Sequence, residues 1–98
     1  MKRGELWIGS ATADFAKKPR PHLIVQANPY CSDEAESVVI CPLTSFIQPQ
    51  IRYRVILNPN LNNGLEQPSQ LMIDKITHLN LQKLSAVHLT ILDYTSFT

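Results

Sequence analysis

The chain has 98 residues, of which 44% are hydrophobic and 17% are charged, and its formal net charge is +1. This composition predicts one soluble globular domain over residues 1–98 and excludes a disordered or fibrous chain. The small net charge argues against a protein that coats nucleic acid without specificity. A local basic patch stays possible, because residues 1–20 carry five basic and two acidic side chains.

The first half of the chain predicts three strands. GELWIG, residues 4–9, alternates apolar and other side chains like a half-buried strand, and a polar, proline-bounded loop follows over residues 10–19. HLIVQA, residues 22–27, is apolar on both faces and predicts a strand buried on both sides. SVVICPLTS, residues 37–45, is rich in β-branched side chains, and Pro42 is expected to end its regular pairing or to put it at an edge.

The second half predicts further short strands. They are YRVILN (53–58), QLMIDKITHL (70–79) and AVHLTILDY (86–94), and NLQKLS (80–85) predicts one helical turn capped by Asn80. Turn chemistry separates these segments. Short strands with turns at roughly 8–12-residue spacing are typical of a small all-β barrel.

Two cysteines, Cys31 and Cys41, have neither CxxC spacing nor nearby histidines. This predicts reduced thiols in a cytoplasmic protein rather than disulfide bonds. The amino terminus has no apolar core as long as that of a signal peptide, and no stretch approaches the ~20 apolar residues of a membrane span.

The segment KKPRP, residues 17–21, puts a basic cluster where a strand should begin. Two prolines restrict the backbone of Arg20, whose planar guanidinium suits a phosphate or a carboxylate, and Lys17 and Lys18 add positive charge. Thr44 and Ser45 follow a proline at the end of an apolar strand and could donate hydrogen bonds to phosphoryl oxygens. Taken singly, each feature is better explained structurally, as a solvated basic turn and as hydroxyls that satisfy backbone groups.

Motifs for other chemistry are absent from the sequence. It contains no phosphate-binding GxxxxGK[ST] loop, no GxGxxG, no HExxH and no CxxC pair. The histidines at positions 22, 78 and 88 are widely separated. We therefore expect neither a metal site nor a cofactor.

Five segments in order, MKRGELW, KKPRPHLIVQ, VVICPLTS, GLEQPS and LMIDKITHLNLQKL, resemble the MazF/PemK toxins of bacterial type II toxin–antitoxin systems over residues 1–85. The resemblance implies an SH3-like barrel of the CcdB/MazF type and a homodimer. It further implies a metal-independent, sequence-specific endoribonuclease that cleaves single-stranded RNA, often mRNA, to 2′,3′-cyclic phosphate and 5′-hydroxyl ends. The implied partners are the RNA and a cognate antitoxin, which lays an acidic tail across the RNA channel and through which the complex binds DNA.

The resemblance also implies the site. Its R-P arginine falls on Arg20 and the threonine of its P-L-T-S motif falls on Thr44, and these two are the expected catalytic residues. The expected substrate-binding residues are Asp14, Phe15, Lys17, Lys18, His22 and Ser45. Members of the family often have a glutamate or glutamine near Phe15, where an aromatic ring could instead stack on a base.

The chemistry needs a base for the ribose 2′-hydroxyl and donors for the charge on the phosphoryl oxygens. Arg20 suits the second task, because its high pKa makes it a poor base. The base stays unassigned among His22, Asp14 and Asp74, and for His22 a packed rim residue is the favoured reading.

Two further readings compete with the ribonuclease. A non-catalytic relative could poison a protein target, as CcdB gyrase inhibitors do, or could only bind antitoxin, but neither needs the pair of Arg20 and Thr44. An SH3-like adaptor would need an aromatic-lined groove, and the aromatic residues are scattered along the sequence.

Overall fold

The computed structural model describes residues 1–9, 20–32, 34–60 and 64–88, the backbone alone in the case of 85–88. Through these residues run β1 (Leu6–Gly9), β2 (Arg20–Ile24), β3 (Ser37–Thr44), β4 (Ile56–Leu57), β5 (Ser69–Leu71), β6 (Thr77–Asn80) and β7 (Leu84–His88). Short 3-10 helices occupy Asn28–Tyr30, Ile73–Lys75 and Leu81–Lys83. None of the helices in the described ranges is long or apolar enough to cross a membrane.

The strands form a curled antiparallel sheet in the order β4-β5-β3-β2-β1-β7, and β6 pairs with β3 outside this path. β3 is the central strand. One of its edges pairs with β2, and its other edge pairs first with β6, over Ser37–Ile40, and then with β5, over Leu43–Thr44. This architecture confirms the predicted all-β, barrel-like fold.

Both faces of the sheet are buried at residues 22–24 of β2 and 40–43 of β3, as the apolar pattern of residues 22–27 predicted for β2. One core cluster consists of Leu6, Leu23, Cys41, Leu43 and Leu71. The other consists of Ile24, Val38, Ile40, Leu79 and Leu84. Alternate residues of β2 and β3 therefore enter different clusters, as the two-residue period of a strand requires.

Gly9 lies where three strands meet closely. It pairs with Arg20 of β2 and, after a register shift, with Leu84 of β7. A Cβ atom at this position would lie 2.6 Å from the Lys83 carbonyl oxygen and 2.9 Å from Leu84 Cδ2. Only glycine fits here without displacement, so its lack of a side chain lets the start of β7 lie close to β1.

The expectation for Pro42 is wrong only in that β3 continues beyond it to Thr44, because the β2–β3 ladder does end at the His22–Pro42 pair. Pro42 lies inside β3, is buried, and pairs with His22 in the middle of the sheet. Its carbonyl accepts a hydrogen bond of 2.9 Å from the Met72 N–H, so the position of its missing N–H faces the β5–β6 edge. Met72 follows Leu71 in the register that pairs β5 with Leu43 and Thr44, so the hydrogen bond to Pro42 continues that ladder by one position. The proline lacks only the N–H that would return a hydrogen bond to Met72, and the loss falls where β3 changes partner from β6 to β5.

The single strand predicted over 70–79 is also wrong. The segment divides into β5, the 3-10 helix Ile73–Lys75 and β6, because β3 is shared by two partner strands. The turn at Leu81–Lys83 is confirmed, and its cap is Asn80, whose Oδ1 accepts a 2.8 Å hydrogen bond from the Gln82 N–H. The predicted strand over 53–58 is shorter, limited to β4. The predicted strand over 86–94 begins earlier, as β7, and residues 89–94 lie outside the described part of the chain.

Candidate active site

A fork in the sheet forms the candidate site. β2 and β3 pair through Ile24–Ile40, Leu23–Cys41 and His22–Pro42, and the ladder stops there although each strand continues for two more residues. Beyond this point β2 pairs only with β1, and β3 pairs with β5. Continued in the same register, the ladder would bring Arg20 opposite Thr44.

Pro21 explains why the ladder stops. The Val25 N–H donates to the Val39 carbonyl, which makes the odd-numbered residues of β2 those that hydrogen-bond to β3. The next such residue after Leu23 is Pro21, which has no N–H to donate to Leu43. A Pro21–Leu43 pair could therefore make only one of its two ladder hydrogen bonds, and the two strand ends follow different neighbours instead.

A cavity of about 360 Å³ lies at this fork. Its volume falls in the range of roughly 300–1,000 Å³ that is usual for ligand sites. Three of the predicted site residues, Arg20, Thr44 and Ser45, line it together. The other described lining residues are Ile8, Pro21, Leu43, Phe46, Gly64, Leu65, Glu66, Gln67 and Ser69.

The Thr44 hydroxyl has a defined orientation. Its Oγ1 accepts a 3.1 Å hydrogen bond from the Phe46 N–H. Because a lone pair is engaged in this bond, the hydroxyl hydrogen points elsewhere and can be donated to a ligand oxygen. The turn after β3 thus makes Thr44 a donor towards the cavity that it lines.

Gln70 braces this turn. It is the register partner of Thr44 and is 1% exposed. Its Nε2 donates to the Gln48 carbonyl at 3.1 Å, and its Oε1 accepts from the Gln48 N–H at 3.2 Å. Both hydrogen bonds hold the segment that carries Ser45 and Phe46, so Gln70 fixes one wall of the cavity from behind.

His22 is a packed residue rather than a lining residue. It is 1% exposed, pairs with Trp7 on one side and Pro42 on the other, and does not line the cavity. Burial lowers the pKa of the His22 ring below its ordinary value. Hydrogen bonding to the backbone of Arg20 and Trp7 raises the pKa, but the effect of burial is larger. Direct contact of His22 with substrate, predicted from the sequence, therefore finds no support in its position.

Asp74 is occupied by an ion pair. Arg54 Nε donates to Asp74 Oδ1 at 2.8 Å, and Arg54 Nη2 donates to Oδ2 at 3.0 Å. This bidentate hydrogen bonding lowers the pKa of Asp74 to about 2. A carboxylate with so low a pKa is a weak proton acceptor, so Asp74 is a poor candidate for the base.

Both cysteines are free thiols, Cys31 half-buried and Cys41 buried. Burial raises the pKa of the Cys41 thiol to about 11, which leaves it protonated and unreactive at neutral pH. In the part of the chain that the structure describes, no three His, Cys, Asp or Glu side chains are grouped closely enough to hold a metal ion.

Sequence reasoning missed several residues of the site. Glu66 and Phe46 line the cavity, and Gln70 braces it. The signal for Glu66 was present, since GLEQPS was one of the resemblance motifs. Phe46 directly follows the predicted pair of hydroxyl residues. The predicted substrate-binding residues Asp14, Phe15, Lys17 and Lys18 lie outside the described residues.

The fold and the cavity define a small all-β protein with a cleft at a split in its sheet, lined by an arginine, two hydroxyl residues and several apolar side chains. Residues 2–98 match the family described as PemK-like, MazF-like toxin of type II toxin-antitoxin system. The chain belongs to this family, which confirms the predicted membership. A curated relative, "Probable endoribonuclease MazF" of Mycolicibacterium smegmatis, is 35% identical over 77 residues, which cover 79% of this chain and 69% of the relative.

Proposed function

We propose that this toxin is a metal-independent, sequence-specific endoribonuclease that cleaves single-stranded RNA, often mRNA, and leaves 2′,3′-cyclic phosphate and 5′-hydroxyl ends. The observation that carries the proposal is the fork cavity, which Arg20 borders together with the hydroxyls of Thr44 and Ser45. Family membership and the name of the Mycolicibacterium smegmatis relative support the same activity.

Arg20 stabilises the charge of the transition state. When the ribose 2′-oxygen attacks the adjacent phosphorus, negative charge accumulates on the non-bridging phosphoryl oxygens. A guanidinium presents two parallel N–H donors to such oxygens and stays protonated at all relevant pH values. Pairing of Arg20 with Gly9 holds its backbone at the rim of the cavity. In this arrangement Arg20 supplies the charge compensation for which other ribonucleases can use a metal ion.

Thr44 and Ser45 supply neutral donors to the same oxygens. Thr44 Oγ1 already accepts a hydrogen bond from the Phe46 N–H, so the Thr44 hydroxyl hydrogen is available to be donated to the phosphate. Preorganised donors of this kind need no reorientation during the reaction, which is the source of their catalytic effect. Ser45 is more exposed and serves as a second, weaker donor.

RNA binding uses charge and stacking around this centre. Lys17 and Lys18 directly precede Arg20 in the sequence and attract the phosphate backbone. Phe46 lines the cavity with 70% of its surface exposed, and such a ring gives a base a face to stack on. Asp14 and Phe15, from the segment before the lysines, are proposed as further contacts. The cognate antitoxin competes for this surface with an acidic segment.

The active form is proposed to be a homodimer, as the family resemblance implies. Exposed apolar side chains on β3 and on the 73–76 segment, Val39, Ile73 and Ile76, support a protein interface on this part of the molecule. Light scattering at micromolar concentration tests this proposal. A monomer would remove any RNA channel built from two copies.

The decisive experiment is cleavage of a mixed RNA pool in excess EDTA by the wild-type protein and by Arg20→Ala, with analysis of the fragment ends. We expect cyclic phosphate and 5′-hydroxyl ends from the wild type, and loss of cleavage by a factor of roughly 10²–10³ or more in the variant. Circular dichroism of both proteins controls for folding. Full activity of a folded Arg20→Ala protein would refute the site. No cleavage by either protein would favour a non-catalytic toxin.

A further inference from the structure

We infer that Glu66 is the general base that takes the proton of the attacking 2′-hydroxyl, an inference that rests on the proposed ribonuclease function. Among the described residues that line the fork cavity, Glu66 is the one carboxylate. It shares the cavity with Arg20, Thr44 and Ser45. A base must lie within hydrogen-bond reach of the proton that it removes, and Glu66 borders the cavity that would hold the scissile phosphate.

The backbone around Glu66 holds it at the cavity. Gly64 adopts a positive φ of 68°, a conformation that side chains disfavour, and turns the chain just before Glu66. Leu65 then packs against the core cluster that contains Leu43 and Leu71. On the other side, the Gln67 carbonyl accepts a 3.2 Å hydrogen bond from the hydroxyl of Ser69, which begins β5. Glu66 is therefore presented by a segment anchored at both ends.

The carboxylate itself is exposed, and no hydrogen bond or ion pair to it occurs within the described ranges. Its position is electrostatically costly for a protein that binds RNA, because a carboxylate repels the phosphodiester. A carboxylate is expected at such a position when its charge takes part in the reaction. Removal of the 2′-hydroxyl proton is a task for which an ionised carboxylate is suited.

The alternative bases are less suitable. The ring of His22 is buried and outside the cavity, and burial lowers its pKa. Asp74 is held in a bidentate pair by Arg54, with a pKa of about 2. Neither group is both accessible and able to accept a proton readily. Glu66 is exposed at the cavity, and no hydrogen bond or ion pair engages its carboxylate in the part of the chain that the structure describes.

The step balances as follows. The 2′-oxygen forms its bond to phosphorus while its proton passes to a Glu66 carboxylate oxygen. The bond between phosphorus and the 5′-oxygen breaks, and that oxygen takes a proton from water while Arg20 stays protonated. Products are the 2′,3′-cyclic phosphate and the 5′-hydroxyl. Glu66 then returns its proton to solvent, so no oxidant, reductant or further reactant is consumed.

The test is Glu66→Gln, which keeps the size and removes the charge, compared with the matched control Glu34→Gln at an exposed position outside the cavity. With a defined single-stranded RNA in EDTA, we expect kcat to fall by roughly 10²–10⁴-fold in Glu66→Gln and to stay unchanged in the control. Binding of a non-cleavable analogue, with 2′-deoxyribose at the scissile position, should become tighter in Glu66→Gln because a repulsive charge has gone.

A second substrate distinguishes the role of general base from that of general acid for Glu66. When a 5′-bridging sulfur replaces the leaving oxygen, the leaving group needs no proton donor, so a defect in a general acid is rescued while a defect in the base persists. We expect the Glu66→Gln defect to persist with this sulfur substrate. Tighter binding with an unchanged kcat, or rescue by the sulfur substrate, would overturn the inference. Failure of the wild type to cleave any RNA would instead refute the proposed function itself.

Discussion

Arg20 and Thr44 occupy facing register positions on two strands that have stopped pairing. The β2–β3 ladder ends at His22 and Pro42, two residues before them, and each strand end then follows a different neighbour. Residues opposite each other in an antiparallel ladder project to the same face. The fork therefore keeps the two side chains on one side of the sheet while separating the backbones, and this separation leaves room for a ligand between an arginine and a hydroxyl.

Thr44→Val is the direct test of the hydroxyl. Valine has the shape of threonine without the donor, so we expect kcat to fall by roughly 10²–10³-fold while the protein stays folded. Thr44→Ser keeps a donor and should retain most of the activity. Thr77→Val, on the exposed surface of β6, is the matched control. Equal rates for the Thr44→Val variant and the wild type would show that the hydroxyl does not contact the transition state.

Gln70→Leu tests the brace behind the turn. The change removes both hydrogen bonds to Gln48 and leaves its backbone groups without these partners, which typically costs about 1–3 kcal/mol of unfolding free energy for buried groups. We expect a lower urea midpoint together with a lower kcat, because the turn carries Thr44, Ser45 and Phe46. Gln82→Leu, at an exposed position in the last 3-10 helix, should change neither. Loss of stability with unchanged kcat would contradict a positioning role for Gln70.

Whether the sequence predicts a feature of this fold depends on how far apart along the chain the interacting residues lie. Strand patterns are local, so β1, β2 and β3 were predictable, and the family motifs paired Arg20 with Thr44. The pairing at Pro42 depends on where β5 and β6 begin and end along β3, and no local sequence pattern shows this. The same holds for the division of residues 70–79. Glu66 lines the cavity because of the turn at Gly64. A single sequence does not show which strand edge such a turn faces.

The Arg54–Asp74 ion pair predicts a pH dependence of stability. The pair lowers the pKa of Asp74 from 3.8 to about 2, so the folded state favours the ionised carboxylate. Its contribution is complete above the unfolded-state pKa and is lost as the pH falls through the folded-state pKa. Wild type should therefore be more stable than Asp74→Asn at neutral pH, and the difference should shrink between about pH 4 and about pH 2.

Urea unfolding of both proteins across this range measures the difference and cancels the effect of other carboxyl groups. A constant difference down to pH 2 would show that the pair does not form. The same variant should keep the shape of the kcat–pH profile near neutrality, because Asp74 is not the base. A lost acid limb in Asp74→Asn would move the role of base from Glu66 to Asp74.

Phe46 predicts a stacked base beside the scissile phosphate. Its ring is 70% exposed although it lines the cavity, and a base that stacks on such a ring is worth about 1–3 kcal/mol. Phe46→Ala should weaken binding of the non-cleavable RNA analogue by a corresponding factor, and Phe46→Trp should preserve binding. Tyr30→Ala is the matched control, because Tyr30 is 72% exposed and lies outside the cavity.

Abasic nucleotides identify the base that stacks. Abasic residues are placed one at a time along the RNA. The abasic residue at the stacking position should weaken binding by the wild type as much as Phe46→Ala does. In the Phe46→Ala variant it should have little further effect. This non-additivity is the signature of a direct contact between the two groups. Additive losses at every position would mean that Phe46 supports the fold of the turn instead, and target selection would then depend on other parts of the cavity.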